Sequence, residues 1–317
     1  MSYKKKLYIL VSLVAVLALL YIGNIVFYSD LGARQSSFAW LDSKTAERSN
    51  RIIVSSQTGV LELVKQNGKW SVLYDDIFFP ARQIRVQDFL DVLTTRSAWP
   101  VRSSSASTHE RFGLDDDASR ITIYGEDAVL LNLLVGDDDA MGRETYFRKE
   151  GNNEVRSGDS GIKIYTTGSI GNWFNYRLIP ETEGGQLDFN SVQRMSVYTS
   201  SETQVFSRRN RTWVISGIEV ANPDIPGLES YIRTVINTEA DSFSDSVFHD
   251  DPLFEQSRIV VEFGNGAVYN IRLGEGDDIG RLFAHVSKGD QGEPLIYSIP
   301  AWAAYRLFKE AESFEKQ

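Results

Sequence analysis

Cysteine is absent from the 317-residue chain, which excludes disulfides, thiolate nucleophiles and cysteine metal sites and suits an oxidising compartment. Stability must therefore come from packing. Histidine occurs three times, as His109, His249 and His285, so imidazole chemistry has few places to act. Basic residues are short as well, 33 against 43 acidic ones, a balance that disfavours nucleic acid as a partner. Catalytic signatures are also missing. No Gly-x-Ser-x-Gly turn occurs, and the acidic runs lack the ligand spacing of a helix-loop-helix calcium loop. The glycine-bounded stretches 136–142 and 274–280 carry aspartates where a phosphate cradle needs exposed N–H groups and positive charge.

One long apolar run is present. Leu7 to Tyr28 is apolar apart from Ser12, Asn24 and scattered tyrosines. As a helix it would reach roughly 33 Å, enough for a hydrocarbon core of about 30 Å. It is longer than the roughly 7 to 15 apolar residues of a cleavable signal peptide, and it exits through Val26-Phe27-Tyr28-Ser29-Asp30 rather than a small-x-small site. Lys4, Lys5 and Lys6 precede it, so the expectation is a single-pass anchor in the cell (inner) membrane. The N-terminus would be cytoplasmic and the bulk of the chain extracytoplasmic or periplasmic. Residues 1–29 form the tail and anchor, and 30–50, rich in Ser, Ala, Arg and Asp without periodicity, read as a linker.

From Arg51 short β-prone runs are divided by turn signals. Arg51-Ile52-Ile53-Val54, Val60 to Val64 and Lys69-Trp70-Ser71-Val72-Leu73 flank Thr58-Gly59 and Asn67-Gly68. Pro80 ends the meander, and Ile84, Val86, Phe89, Leu90, Val92 and Leu93 recur at helical spacing. Strands resume with Ile121-Thr122-Ile123-Tyr124, Val129 to Val135 and Tyr146-Phe147-Arg148. The same order then returns: Arg51 matches Arg194, Trp70 matches Trp213, Phe89 and Leu90 match Tyr231 and Ile232, His109 matches His249, and Gly136, Asp139, Gly142 and Arg143 match Gly274, Asp277, Gly280 and Arg281. The expected fold class is α+β, two tandem copies of an antiparallel sheet with helices, over 51–180 and 190–317.

A closing stretch also occurs twice. Ser169-Ile170-Gly171-Asn172-Trp173-Phe174-Asn175-Tyr176-Arg177-Leu178 returns as Ser298-Ile299-Pro300-Ala301-Trp302-Ala303-Ala304-Tyr305-Arg306-Leu307. At helical spacing Ile, Trp, Tyr and Leu share one broad arc, with Arg177 and Arg306 inside it, so each arginine is expected to lie along the aromatics of a helix. Trp70, Trp213, Trp173 and Trp302 are expected in the core rather than as ligand platforms.

For chemistry the candidates are His109 beside Glu110, His249 beside Asp250 and Asp251, and the turn aspartates Asp139 and Asp277. Imidazole with carboxylate is the usual equipment for a metal or a general base, but both histidines fall in loops where a polar side chain needs only a turn hydrogen bond. No metal, cofactor or catalytic group is assigned to them. Asn210-Arg211-Thr212 is a glycosylation triplet placed in a hairpin turn.

Several of these pieces resemble an uncharacterised bacterial family, domain of unknown function 4340. They are Asn67-Gly68-Lys69-Trp70, Phe112-Gly113-Leu114-Asp115, Gly136-Asp137-Asp138 and Tyr146, and the resemblance covers most of residues 51 to 307. The second copy departs from it, reading His249-Asp250-Asp251-Pro252-Leu253-Phe254 at the glycine motif. The resemblance implies a membrane-anchored accessory component of an ABC-type transport system of the gliding-motility kind. The expected function is therefore a non-enzymatic, membrane-tethered accessory protein whose partners are the bilayer and other membrane proteins of a transport complex. The alternative is an extracytoplasmic glycan- or solute-binding module.

Overall fold

A computed structural model describes residues 14, 16–18, 21, 37–126, 128–180, 188–244, 257–276, 280–289 and 294–316. The described chain forms two compact units, Met1–Phe78 with Gln83–Trp173, and Phe79–Arg82 with Phe174–Gln317.

The first large sheet is built from β2 (Arg51–Ser56), β3 (Gly59–Gln66), β4 (Lys69–Tyr74), β5 (Ile77–Pro80), β7 (Val101–Ser103), β8 (Ser119–Gly125), β9 (Ala128–Asp138), β10 (Glu144–Lys149) and β11 (Val155–Asp159). Its order is β5-β4-β3-β2-β8-β9-β10-β11-β7. The second contains β12 (Val192–Tyr198), β13 (Thr203–Arg209), β14 (Thr212–Ser216), β15 (Ser242–Phe243), β16 (Ser257–Phe263), β17 (Val268–Gly276), β18 (Arg281–Lys288) and β19 (Leu295–Pro300). Its order, β14-β13-β12-β16-β17-β18-β19-β15, matches the first strand for strand apart from β5.

Alternation along the strands explains why each sheet has a dry face. Ile52 pairs with Leu63 on one side and Ile123 on the other, and all three are fully buried. Met195 pairs in the same way with Phe206 and Val261, again fully buried. One helix of twelve residues lies in each unit, α2 (Gln83–Thr94), burying Val86, Phe89, Leu90 and Leu93, and α4 (Ile225–Ile236), burying Leu228, Tyr231, Ile232, Val235 and Ile236.

The α+β expectation is corrected to a predominantly β architecture. Among the described residues from Ser37 onward, the helices besides α2 and α4 are α1 (Ser43–Glu47), α3 (Ile164–Thr167) and α5 (Ala301–Leu307), each two turns or less, with short 3-10 turns; residues 14, 16–18 and 21 are also helical. Strand pairing, not helix packing, therefore carries most of the backbone hydrogen bonding. The expected transmembrane helix is not found: among the described residues no helix is long and apolar enough to cross a membrane. Most of Leu7 to Tyr28 lies outside the described residues.

The segment read as a linker carries structure from Ser37 onward. β1 (Ser37–Phe38) pairs with β6 (Ser97–Ala98), and α1 is capped by Asp42, whose carboxylate accepts from Thr45 N. Trp40 is buried against Trp99 and Phe147, with ring centroids 5.2 and 5.9 Å away. Two long-range aromatic contacts outweigh a composition that locally favours a tether.

The closing repeat is corrected as well. Ser298, Ile299 and Pro300 end β19, and Trp302 is the second residue of α5. Ser169 instead follows α3, and Trp173 ends a 3-10 turn, Ile170–Trp173, after which the chain is not helical. The structural counterpart of Trp173 is Phe314, at the end of the 3-10 turn Ala311–Phe314. Backbone pairing establishes this. An isolated bridge joins Ala81 to Phe174, and another joins Pro223 to Glu315. Asn175 N donates to Pro80 O at 2.7 Å, and Lys316 N donates to Asn222 O at 2.9 Å. The sequence repeat is thus about three helical turns out of step with the structural one.

Trp173 and Phe314 are each 1% exposed, whereas Trp302 is 62% exposed. Trp173→Ala and Phe314→Ala should each cost about 3–5 kcal/mol through loss of contact and an unfilled cavity. Trp302→Ala should stay within about 0.5 kcal/mol of the wild type. Urea unfolding followed by tryptophan fluorescence and circular dichroism tests this; equal effects of Trp173→Ala and Trp302→Ala would refute the realignment.

Candidate functional site

Three of the four motifs that carry the family resemblance, at 112–115, 136–138 and 146, converge in the first unit. The 3-10 turns Ala106–Thr108 and Glu110–Phe112 meet at His109, whose Nε2 lies 3.2 Å from Asn153 O. Gly113 closes the second turn at φ 63°, in the left-handed region. Leu114 then enters a small core with Leu134 and Val155, and the Phe112 and Tyr146 rings meet at a tilt, their centroids 4.6 Å apart. Gly136 is required by proximity, since a Cβ there would lie 2.2 Å from Phe112 O. These motifs are scaffold: they dock one loop on β9 and β10.

Asp139 has a similar task. Its Oδ1 accepts from Arg143 N at 2.6 Å and Glu144 N at 3.1 Å, closing the β9–β10 turn. Those N–H groups, Glu144's first, hold its carboxyl below the usual range. Asp138 accepts from Thr145 Oγ1 and pairs with Lys163 at 3.1 Å. Glu144 accepts from Ser157 Oγ and from Arg102 Nη2, both at 2.6 Å, and these bonds, Ser157's being the larger, depress its carboxyl too. No group of three or more His, Asp or Glu that could hold a metal occurs among the described residues. His249 and Asp277 lie outside them. His285 is buried in β18 opposite Arg272 and Ile296.

The tryptophans divide. Trp70 and Trp213, both second residues of matching strands β4 and β14, are buried with a cation over each ring, Lys65 at 5.7 Å and Arg208 at 6.0 Å. Trp70 is further held by Gln83, which accepts from its N–H and donates to its carbonyl. Trp173 is covered by the Arg85 guanidinium at 4.9 Å. Arg177, expected along the aromatics of a helix, lies where the chain is not helical and pairs with Glu239 at 3.2 Å. Arg306 lies along the aromatics of its helix, 5.1 Å from the Trp302 ring.

Trp302 departs from the core expectation. The inner face of α5 is Ala303, Ala304 and Leu307, all buried, so at about 100° per residue Trp302, Tyr305 and Arg306 point outward. Trp302 is 62% and Tyr305 77% exposed. The platform under them is firm: Tyr231 Oη donates to Leu307 O at 2.5 Å, and burial raises the Tyr231 phenol well above the usual tyrosine range, keeping its proton in place. Gln204 Nε2 donates to Lys309 O at 2.6 Å just beyond the helix. The signal that sequence reading passed over was the Ala303-Ala304 pair, small enough to seat a helix closely and turn its aromatics out.

The depressed Glu144 and Asp139 carboxyls predict acid sensitivity. A carboxyl whose folded pKa lies below its unfolded value stabilises above that unfolded value, and the contribution is lost as pH falls through the folded one. Ser157→Ala should return Glu144 toward the ordinary glutamate range in an NMR titration and move acid unfolding to higher pH. An unchanged Glu144 titration would contradict the assignment.

No curated protein and no solved structure matches the chain. A family profile described as "Domain of unknown function (DUF4340)" matches residues 70–247, more than half of the sequence, from Trp70 in β4 to beyond β15. The glycine and aspartate motifs docked on β9 and β10 fall inside that match. The chain belongs to the DUF4340 family.

Proposed function

We propose that the chain is a non-enzymatic accessory protein, held at the extracytoplasmic side of the cell membrane, that docks on membrane proteins of an ABC-type transport system. The observation that carries this reading is the outward face of α5. Trp, Tyr and Arg are the residue types that dominate protein-interface energetics, and here they stand together, with Arg306 stacked on Trp302. The buried side of the helix is pinned through Tyr231 and Gln204, so little ordering remains to be done on binding. The occupant that fits is a protein surface with an apolar recess for the two rings and a carboxylate for Arg306, because acidic residues outnumber basic ones in the chain and this helix offers the opposite charge. The apolar run Leu7 to Tyr28 behind Lys4 to Lys6 supports attachment to the membrane, which raises the effective concentration of any membrane partner. The family resemblance, which implies an accessory of a transport system, motivates the choice of partner.

The full chain, tagged and purified from detergent-solubilised membranes, should bring down integral subunits of a transport complex. Trp302→Ala, Tyr305→Ala and Arg306→Ala combined should reduce that yield at least tenfold, since truncating one hot spot costs about 2 kcal/mol or more. His109→Ala should leave it unchanged. Retention of the same subunits by the triple variant, or loss of them in His109→Ala at normal protein level, would overturn the proposal. Protease added to spheroplasts should digest residues beyond Asp30; protection would remove the extracytoplasmic placement.

A further inference from the structure

The two sheets share a matching second hairpin, and the difference between the two copies is informative. In the first, β3 turns into β4 through Asn67 at φ 49° and Gly68 at φ 80°, both left-handed. That is the residue pair such a two-residue turn prefers. In the second, β13 turns into β14 through Asn210 at φ 50° and Arg211 at φ 67°. An arginine stands where the matching turn has glycine. Holding a side-chain-bearing residue there costs on the order of 1 kcal/mol, and such local strain is characteristic of functional positions.

Arg211 lines an open surface pocket of about 490 Å³ together with Asn190, Gln193, Arg208 and Asn210, of which only Arg208 is half-buried. Arg208 is fixed in place: Nη1 donates to Asn190 O at 2.6 Å and Nη2 to Asn190 Oδ1 at 3.3 Å, while the guanidinium lies 5.8 Å from the Phe189 ring and 6.0 Å from Trp213. Asn190 is itself held by Asp188, whose Oδ1 accepts from its N–H at 2.8 Å. Arg211 has no ion pair or hydrogen bond through its guanidinium among the described residues. The volume falls within the range of small-ligand sites, roughly 300–1,000 Å³, but the lining is polar, whereas such sites are usually apolar. That selects a hydrophilic ligand.

The side-chain chemistry narrows it further. Arg211 presents a planar donor fork suited to an oxyanion, above all a carboxylate, and Arg208, whose Nη1 and Nη2 already donate to Asn190, adds its positive charge beside it. The Gln193 and Asn210 carboxamides each offer a donor and an acceptor, and Asn190, whose Oδ1 accepts from Arg208, offers its NH2 donors, which suits ligand hydroxyls that both give and accept hydrogen bonds. A bare inorganic anion would leave the amide oxygens unused. We infer that this pocket binds an acidic sugar, its carboxylate at Arg211 and Arg208 and its hydroxyls at Asn190, Gln193 and Asn210. The inference stands apart from the α5 face and does not depend on it.

Isothermal titration of the full purified chain with glucuronate, glucose and inorganic phosphate tests the assignment. Glucuronate should bind saturably, with glucose and phosphate each at least tenfold weaker. Arg211→Gly, which installs the residue of the matching turn, should weaken glucuronate at least tenfold while leaving the unfolding temperature unchanged or higher. Arg211→Asn, also suited to a left-handed backbone, provides a second variant and should behave alike. Absence of saturable glucuronate binding, phosphate binding as tight as glucuronate, or wild-type affinity in both folded variants would each overturn it.

Discussion

In each sheet one buried aromatic ring fills the wedge between the long helix and the strands. Trp173 meets Phe89 of α2 edge-on at 5.6 Å, and Phe314 meets Tyr231 of α4 at 5.3 Å and Phe206 of β13 at 5.2 Å. Both rings are at the end of a 3-10 turn, and the chain leaves each directly into an isolated bridge with the residue just ahead of the helix. The ring and the bridge act together. The ring supplies apolar contact that an amphipathic helix of twelve residues cannot supply alone, and the bridge fixes the direction from which the ring arrives.

That arrangement explains why the same ten-residue motif has two fates. In the first copy the tryptophan is the wedge. In the second, Phe314 already occupies the equivalent place, and the motif lies earlier, across the end of β19 and the start of α5. There the alanines make contact with the interior and Trp302 and Tyr305 are left outside. An exposed Trp beside an exposed Tyr on a pinned helix is an uncommon use of the two largest side chains, and this is why the docking proposal rests on it.

The family motifs on β9 and β10 serve the fold. Gly113 and Gly136 let a loop approach β9 at backbone distance, and Asp139 closes a turn with its side chain. Such groups are retained by the fold itself. What distinguishes the second unit is found where the copies differ, at the Arg211 turn in place of Gly68 and at the outward face of α5. Duplicated sheets share their cores for packing reasons, so new binding capacity collects at turns and outer faces, where substitution leaves the core intact.

The sequence by itself determined the strands, the turns between them and the succession of two similar sheets. Period-two alternation at Ile52, Leu61, Leu63 and Met195, and the Asn-Gly signal at 67–68, are local consequences of backbone geometry and can be read from neighbours alone. It also marked Trp70 and Trp213 as equivalent. Tertiary structure alone decided that Phe314 replaces Trp173, that Ala303 and Ala304 rather than Trp302 face inward, and that Trp40 draws the presumed linker into the first core. It also placed Asn190 and Gln193 beside Arg208 and Arg211, residues about 20 apart in sequence. The reason is physical: local periodicity states which residues share a face, but which face is buried depends on the surface it meets, and that surface is contributed by distant segments.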